Sequence, residues 1–434
     1  MEYKSLVVLS ILTILCTAFS GCLGEDSSGK NNLPTIHIEY PQDNQIVSQL
    51  VMISGSANDG NNNEDLLWTE VSINENQWQK ADGTSKWSYD WLTYELTDGI
   101  YTIQARTWDG TTYSNIHTIT VQLDNPDSIL SDSPKYALFI AAANFPELND
   151  TKLGNGGLYF AEEMAAYLIQ HAGYSTENII ILFDDGWIRE DNGYGERILT
   201  LQQRPHTYDM LYGGATQTNV HESLNRLVIN ANQHQNSEVF LWIFNHGYGD
   251  ATNTLTGGKI FEQSQIFLWD ALLSDKTLGT MLKPLQSQKT TIIIDACYAG
   301  GFADKTIFNL PTTLLLRSGI PQSGRIVITG ASKFRKGYAS TTSGPLFSLL
   351  WYEGLSTGKA DGFRPGLLNL GRPTQLNLFK DGKTSVEEAF YYARYVLRTN
   401  PDLQDFRSMQ PQINDKYPNQ GILRNNRELF LTED

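Results

Sequence analysis

The sequence predicts a multi-domain chain: an all-β sandwich followed by an α/β domain whose mostly parallel sheet is flanked by helices. Three observations predict it. Residues 34–124 carry short runs that alternate apolar and polar with period two. From residue 135 to the end the strand-like runs are continuously apolar and helical spacings fall between them. The stretch 125–134 between the two regions is rich in Pro, Ser and Asp and reads as a linker.

Composition sets the outer bounds. The chain has 434 residues, of which 40% are hydrophobic and 18% charged, enough apolar material for a packed core. Its formal charge of −16 repels phosphate backbones, which argues against nucleic acid as a partner. The same charge gains nothing from an anionic membrane surface. Three cysteines, Cys16, Cys22 and Cys297, exclude a disulfide scaffold.

The N-terminus reads as an address. Leu6 to Phe19 form an apolar run behind Lys4, short for a bilayer span and right for the core of a signal peptide. The run ends in Phe19-Ser20-Gly21-Cys22, which resembles the lipobox of prokaryotic lipoproteins, with Phe19 where Leu is commoner. That resemblance implies a signal peptide over 1–21, lipidation of Cys22 and attachment to the cell surface through the lipid. A plain signal peptide or an uncleaved anchor is the alternative. Residues 22–33 form a polar tether with no core-forming pattern.

The β region follows. Runs at 35–39, 50–54, 68–73, 101–106 and 117–121 are separated by Asp-Gly and Pro turn signals. About ninety such residues suit a sandwich of about seven strands. Trp78, Trp87 and Trp91 suit core and hairpin packing better than a sugar platform. Asp59 to Asp65 reads as a polar loop, its oxygens matching no defined calcium-loop spacing. The phrasing YPQDNQIVS, ISGSANDG and DGIYTIQARTWDG resembles exported prokaryotic immunoglobulin-like (Ig-like) modules.

In the second region, apolar runs at 136–141, 178–183, 238–244, 290–294 and 325–329 suit strands buried on both faces. Val220, Leu224, Leu227, Val228 and Ala231 share one helical face, with Asn219 as its expected N-cap. Further helices are expected over 158–170, 272–286 and 384–397, the last opened by Thr384 and Glu387 as a capping box. Residues 185–217 are long for a connection and suggest a lid beside the cleft.

Sites in open α/β sheets form at the carboxyl ends of strands. His246 follows the strand VFLWIF and Cys297 follows TTIII, both inside glycine-containing turns. If the strands are neighbours, an imidazole can activate the thiol as a nucleophile. The backbone N–H groups of Cys297 and Gly247 then suit the developing oxyanion. Singly, each residue is more often packing than catalysis; together, at two strand ends, they point to chemistry. No CxxC, HExxH or GxxxxGK(S/T) pattern competes. His206 is a rival base without a strand-end setting.

VFLWIFNHGYGD and TTIIIDACYAGGF resemble the His-Gly and acid-x-Cys blocks of the caspase-like cysteine peptidases, most closely the legumain-like branch. The separation, 297 − 246 = 51 residues, is close to the roughly fifty of caspases. The resemblance spans about 135 to 420. It implies that Cys297 is the nucleophile and His246 the general base and acid. Asn144 then orients the histidine, and Asp295 lines the pocket for the residue preceding the cleaved bond, with Ser332 as another wall. A carboxylate there favours Arg or Lys by charge pairing. Legumains pair such an acid with an arginine near the first strand; Leu153 to Gly157 contains none, which tilts the reading from Asn to Arg or Lys. Asp295 as a cap at the strand end is the structural alternative. Residues 298–324, with Lys305 and Arg317, lie where such enzymes are often cut.

The sequence thus describes an exported cysteine endopeptidase that takes protein or peptide substrates and requires no metal or organic cofactor. Asn-specific cleavage, transpeptidation by the same residues, and a catalytically inactive surface-binding lipoprotein are the alternatives.

Overall fold

The computed structural model describes residues 32–60, 65–125, 134–145, 152–249, 262–366, 372–418 and 428–432. The signal segment, Cys22, nearly all of the tether, most of the linker and residues 61–64 of the polar loop lie outside them. Among the described residues, no helix is long and apolar enough to cross a membrane.

The N-terminal region is an Ig-like sandwich of β1 (Thr35–Tyr40), β2 (Gln45–Val47), β3 (Leu50–Asn58), β4 (Trp68–Ile73), β5 (Lys86–Leu92), β6 (Gly99–Trp108) and β7 (His117–Leu123). One sheet runs β1-β3-β5 with Asp82–Gly83 on its edge; the other runs β2-β7-β6-β4 with Gln79–Lys80 on its edge. Alternation produces the core: Ile53, Val71, Trp87, Ile103, Ala105 and Val121 point inward and are buried. Trp91 joins them, whereas Trp78 is half-buried beneath the Arg106 guanidinium, 4.2 Å from its ring centre.

The second domain contains β8 (Lys135–Ala142), α1 (Gly156–Ala172), β9 (Ile179–Phe183), β10 (Leu211–Gly213), α2 (Gln217–Asn232), β11 (Glu238–Asn245), α3 (Asp275–Leu282), β12 (Lys289–Asp295), β13 (Arg325–Thr329), α4 (Leu346–Ser356), α5 (Val386–Thr399) and β14 (Gln412–Asp415). Its sheet order is β10-β9-β8-β11-β12-β13-β14, parallel except for β14 against β13. The continuous apolar runs are explained by two cores, one on each face. Phe139, Trp242 and Ile293 pack with α1, α4 and α5; Leu138, Leu241 and Ile292 pack with α2 and α3.

Helix starts differ from expectation by a few residues. Thr216, not Asn219, caps α2 by accepting from the Asn219 N–H. The Asn219 amide instead reaches the carboxylate of Asp90 in the Ig-like domain (2.8 Å). Ser385 and Glu388, one residue beyond Thr384 and Glu387, form the capping box of α5. α3 begins at Asp275 because 272–274 is a strand paired with Gln265–Phe267.

The expected lid is an interdomain brace. Trp187–Ile188 pairs with Leu199–Thr200 as a short hairpin. Trp187 Nε1 donates to Ser88 Oγ (3.0 Å), and Arg197 donates to the Lys86 carbonyl (3.1 Å) and to Asp82. Arg197 also joins Arg189 on the buried Asp185 carboxylate, at 2.8 and 2.8 Å. Bidentate pairing of this kind fixes orientation as well as charge. The segment therefore ties the β5 sheet of the sandwich to the second domain.

Candidate active site

The site grows from the pairing of β11 with β12. These central strands are parallel and adjacent, with Phe244 opposite Asp295. His246 lies two residues past Phe244, and Cys297 two past Asp295. Both therefore leave the sheet at the same level, on neighbouring strands, and both line one recess with Asp295, Leu153 and the segment Gly337–Ala339. The two turns interlock: a Cβ on Gly247 would lie 1.7 Å from the Cys297 carbonyl oxygen, so only glycine fits.

Cys297 is a half-buried free cysteine, and its sulfur sits at the turn after β12. It accepts the backbone N–H of Gly337 at 3.3 Å. Burial raises the thiol above its ordinary value; the amides of Gly337 and Gly247 and the Lys336 ammonium act in the opposite direction, while Asp295 adds to the rise. Tyr298 follows in the left-handed region (φ 59°), and its N–H donates to the Arg335 carbonyl (2.8 Å). The chain thus turns sharply after the sulfur and is pinned to the segment that supplies Gly337.

His246 is held through its backbone and ring. Its carbonyl accepts from the Phe267 N–H (3.0 Å), and its ring centre lies 6.1 Å from that of Phe145. The preceding Asn245 accepts the Ala142 N–H (2.8 Å) and donates to the Phe267 carbonyl. One amide thereby ties β8, β11 and the strand at 265–267 around the histidine.

Asn144 does not orient the imidazole. Its amide donates to Asp184 (2.6 Å) and to the Gly154 carbonyl (3.2 Å), and accepts the Gly154 N–H (2.8 Å). The reason is Asp184, a buried carboxylate that burial pushes up to about 7 and that gathers the N–H groups of Ala143 and Asn144. Asn144 therefore fixes the turn after β8 and brings Leu153 to the recess. Its expected role is corrected from orienting a base to shaping a wall.

Asp295 lines the recess and also caps a helix. Its Oδ2 accepts both the N–H and the hydroxyl of Ser348, each at 2.9 Å, in the first turn of α4. The Ser348 hydroxyl in turn accepts from Trp242 Nε1 (3.0 Å). Burial pushes the Asp295 carboxyl up to about 6 against those two hydrogen bonds. No cation pairs with it among the described residues. Its other oxygen faces Gly330, where a Cβ would come within 2.0 Å.

Ser332 is not a wall of this recess. It is fully buried, its N–H donates to the Met409 carbonyl (2.9 Å), and its hydroxyl has no hydrogen-bond partner among the described residues. The turn after β13 carries it inward, and Gly337, Tyr338 and Ala339 line the recess instead. Gly337 was legible only as a glycine beyond a strand. Asn245 and Ser348 carried no signal, because their partners are distant in sequence. His206 stacks on Tyr212 (3.9 Å between ring centres) beside Glu162, outside the recess.

Beyond the nucleophile candidate, Ala299–Ala303 forms a buried 3-10 turn. The following segment is exposed, with Leu314 and Leu315 75% and 92% accessible and Arg317 at the surface. Among the described residues, no group of three or more His, Cys, Asp or Glu side chains is placed to hold a metal ion.

Matches to family models agree with this architecture. Residues 34–105 match the bacterial Ig domain, and residues 134–345 match the caspase domain. No curated protein matches the chain. Among solved structures, the chain is similar to an endo-β-1,4-mannanase from Thermotoga petrophila, with 14% identity and a TM-score of 0.19. That match covers 23% of this chain and 21% of the mannanase, so the chain spans about a fifth of that relative. It is similar to caspase-1 from Spodoptera frugiperda, with 8% identity, a TM-score of 0.37, and coverage of 65% of this chain and 86% of that one. It is also similar to the fibronectin(III)-like modules of Clostridium thermocellum CbhA, with 12% identity, a TM-score of 0.19, and coverage of 21% and 100%. The chain carries a bacterial Ig domain followed by a caspase domain.

Proposed function

We propose that the protein is a cysteine endopeptidase in which Cys297 attacks a peptide carbonyl and His246 moves the proton. The observation that carries this reading is the emergence of both side chains from paired strand ends into one recess. The thiol proton passes to the imidazole, the thiolate forms the bond to the carbonyl carbon, and the imidazolium protonates the leaving amine. Water then releases the acyl group from the sulfur. The N–H groups of Gly247 and Cys297 suit the oxyanion.

The preferred residue before the cleaved bond is Arg or Lys. Asp295, buried in the recess without a cationic partner among the described residues, supports that preference. The N-terminal run and Cys22 support export and lipid attachment, with the Ig-like domain lying between membrane and catalytic domain.

Peptides carrying Arg, Lys, Asn or Asp before the scissile bond test the reading, with Cys297→Ala and His246→Ala as controls. Cleavage after Arg or Lys, lost in both variants, is the expected result. No turnover by the wild type, or equal turnover by Cys297→Ala, overturns it.

A further inference from the structure

The Ig-like domain and the catalytic domain enclose an open cavity of about 500 Å³. Lys86 of the sandwich faces Lys152, Arg189, Glu196 and Arg197 of the second domain across it. The cavity adjoins the catalytic recess, because the consecutive residues Lys152 and Leu153 line one each. Lys152 Nζ donates to the carbonyls of Asn144 (3.0 Å) and Phe145 (2.6 Å), at the turn that shapes the recess.

A chain of ring contacts gives a second connection. The Arg189 guanidinium lies 5.3 Å from the ring centre of Trp269. Trp269 stacks on Phe145 (5.7 Å, 21°), and Phe145 neighbours the His246 ring at 6.1 Å.

Among the described residues, four cationic side chains and one carboxylate, Glu196, line the cavity. Three more carboxylates stand nearby. Asp185 holds Arg189 and Arg197 from a buried position, Asp82 meets Arg197, and Glu39 meets Lys86 at 3.6 Å. The Lys86 pair is long and partly exposed, so its exchange for a ligand carboxylate costs little. At physiological salt the screening length is about 8 Å, so a ligand in the cavity meets these local charges rather than the −16 of the whole chain, and the partly exposed Lys86 is the cation it most readily engages.

We propose that this interdomain cavity is a substrate subsite for an acidic stretch of polypeptide beside the cleaved bond. The Ig-like domain is then one wall of the substrate groove as well as a spacer. This rests on the peptidase reading above.

Two measurements on the purified protein test it. The first compares kcat/KM for peptides that share Arg before the scissile bond and carry Asp/Glu or Lys in the flanking residues. An acidic-over-basic ratio of about five to ten is expected in the wild type, falling to about one or below in Lys86→Glu. The second follows fluorescence anisotropy of a labelled Asp/Glu-flanked peptide on Cys297→Ala protein, where no turnover occurs. Binding should exceed that of the Lys-flanked peptide and weaken as salt rises from about 50 to about 300 mM.

Cleavage without a flank preference, or a preference unchanged in Lys86→Glu, overturns the subsite and leaves the peptidase reading standing. Absence of all cleavage overturns the peptidase reading, and the anisotropy comparison still decides the subsite.

Discussion

The backbone N–H of Gly337 points at Sγ of Cys297 from 3.3 Å, across forty residues of chain. It stabilises the thiolate relative to the thiol and opposes the upward push of burial. Gly337→Pro removes that donor, whereas Gly337→Ala keeps it and meets only ordinary contacts from 3.4 Å outward. Alkylation of Cys297 by iodoacetamide near neutral pH should slow about tenfold in the proline variant, one pKa unit's worth, and stay near wild type in the alanine variant. Equal rates in all three proteins would refute the role assigned to this amide.

Gly247 makes the opposite case. Its Cβ would overlap the Cys297 carbonyl at 1.7 Å, a backbone atom that cannot swing away. Gly247→Ala should lower the unfolding free energy by about 2 kcal/mol or more and depress turnover by about a hundredfold. Thermal melts and peptide turnover check both; an active, fully stable variant contradicts the interlock.

Asp295 predicts a pH dependence of specificity. Its carboxyl titrates at about 6, so KM for an Arg peptide should rise as pH falls through about 6. The ratio to a peptide with an uncharged residue cancels the titrations of Cys297 and His246. A ratio flat between about pH 5 and about pH 8 contradicts the pairing. The stability sign follows from the same shift. The folded pKa lies above the unfolded value of about 3.9, so this group's favourable contribution is complete below about 4 and lost as pH rises through about 6.

Ser348 sets the orientation of that carboxylate. Ser348→Ala removes a hydrogen bond to Asp295 and leaves the Trp242 indole N–H without its buried acceptor. A loss of about 1–3 kcal/mol in urea denaturation is expected, together with an upward move of the pH at which the Arg preference disappears. A purely structural serine would change the first and leave the second untouched.

Arg197 carries the domain junction. Arg197→Ala leaves Asp185 with one guanidinium and breaks the contacts to Asp82 and the Lys86 carbonyl. Removing one partner of a buried ion pair costs about 3–5 kcal/mol. Denaturation should then resolve separate transitions for the two domains, with faster proteolysis in the connecting stretch. An unchanged single transition argues against the brace.

Much of this was legible along the chain. Alternation predicted the sandwich, because one face of each strand must be dry. Continuous runs such as Glu238–Phe244 predicted strands covered on both sides, as the two cores confirm. Capping chemistry was read correctly in kind and misplaced by a residue or more, since Thr216 and Asn219, or Ser385 and Thr384, satisfy a helix start equally well in sequence. Asn144 and Ser332 went astray for one reason: a side chain's partner, here Asp184 or a fully buried turn, is set by packing that no local pattern reports.

The sequence by itself determined the two architectures and the strand ends that carry His246 and Cys297, because periodicity and turn chemistry are local properties. Only the tertiary structure decided what surrounds them. The pairing of β11 with β12, the Gly337 amide on the sulfur, the Ser348 cap on Asp295 and the Arg197 brace all join residues far apart in the chain. Such contacts arise from the closing of the fold, whose long-range geometry is a property of the whole packed core and not of any segment.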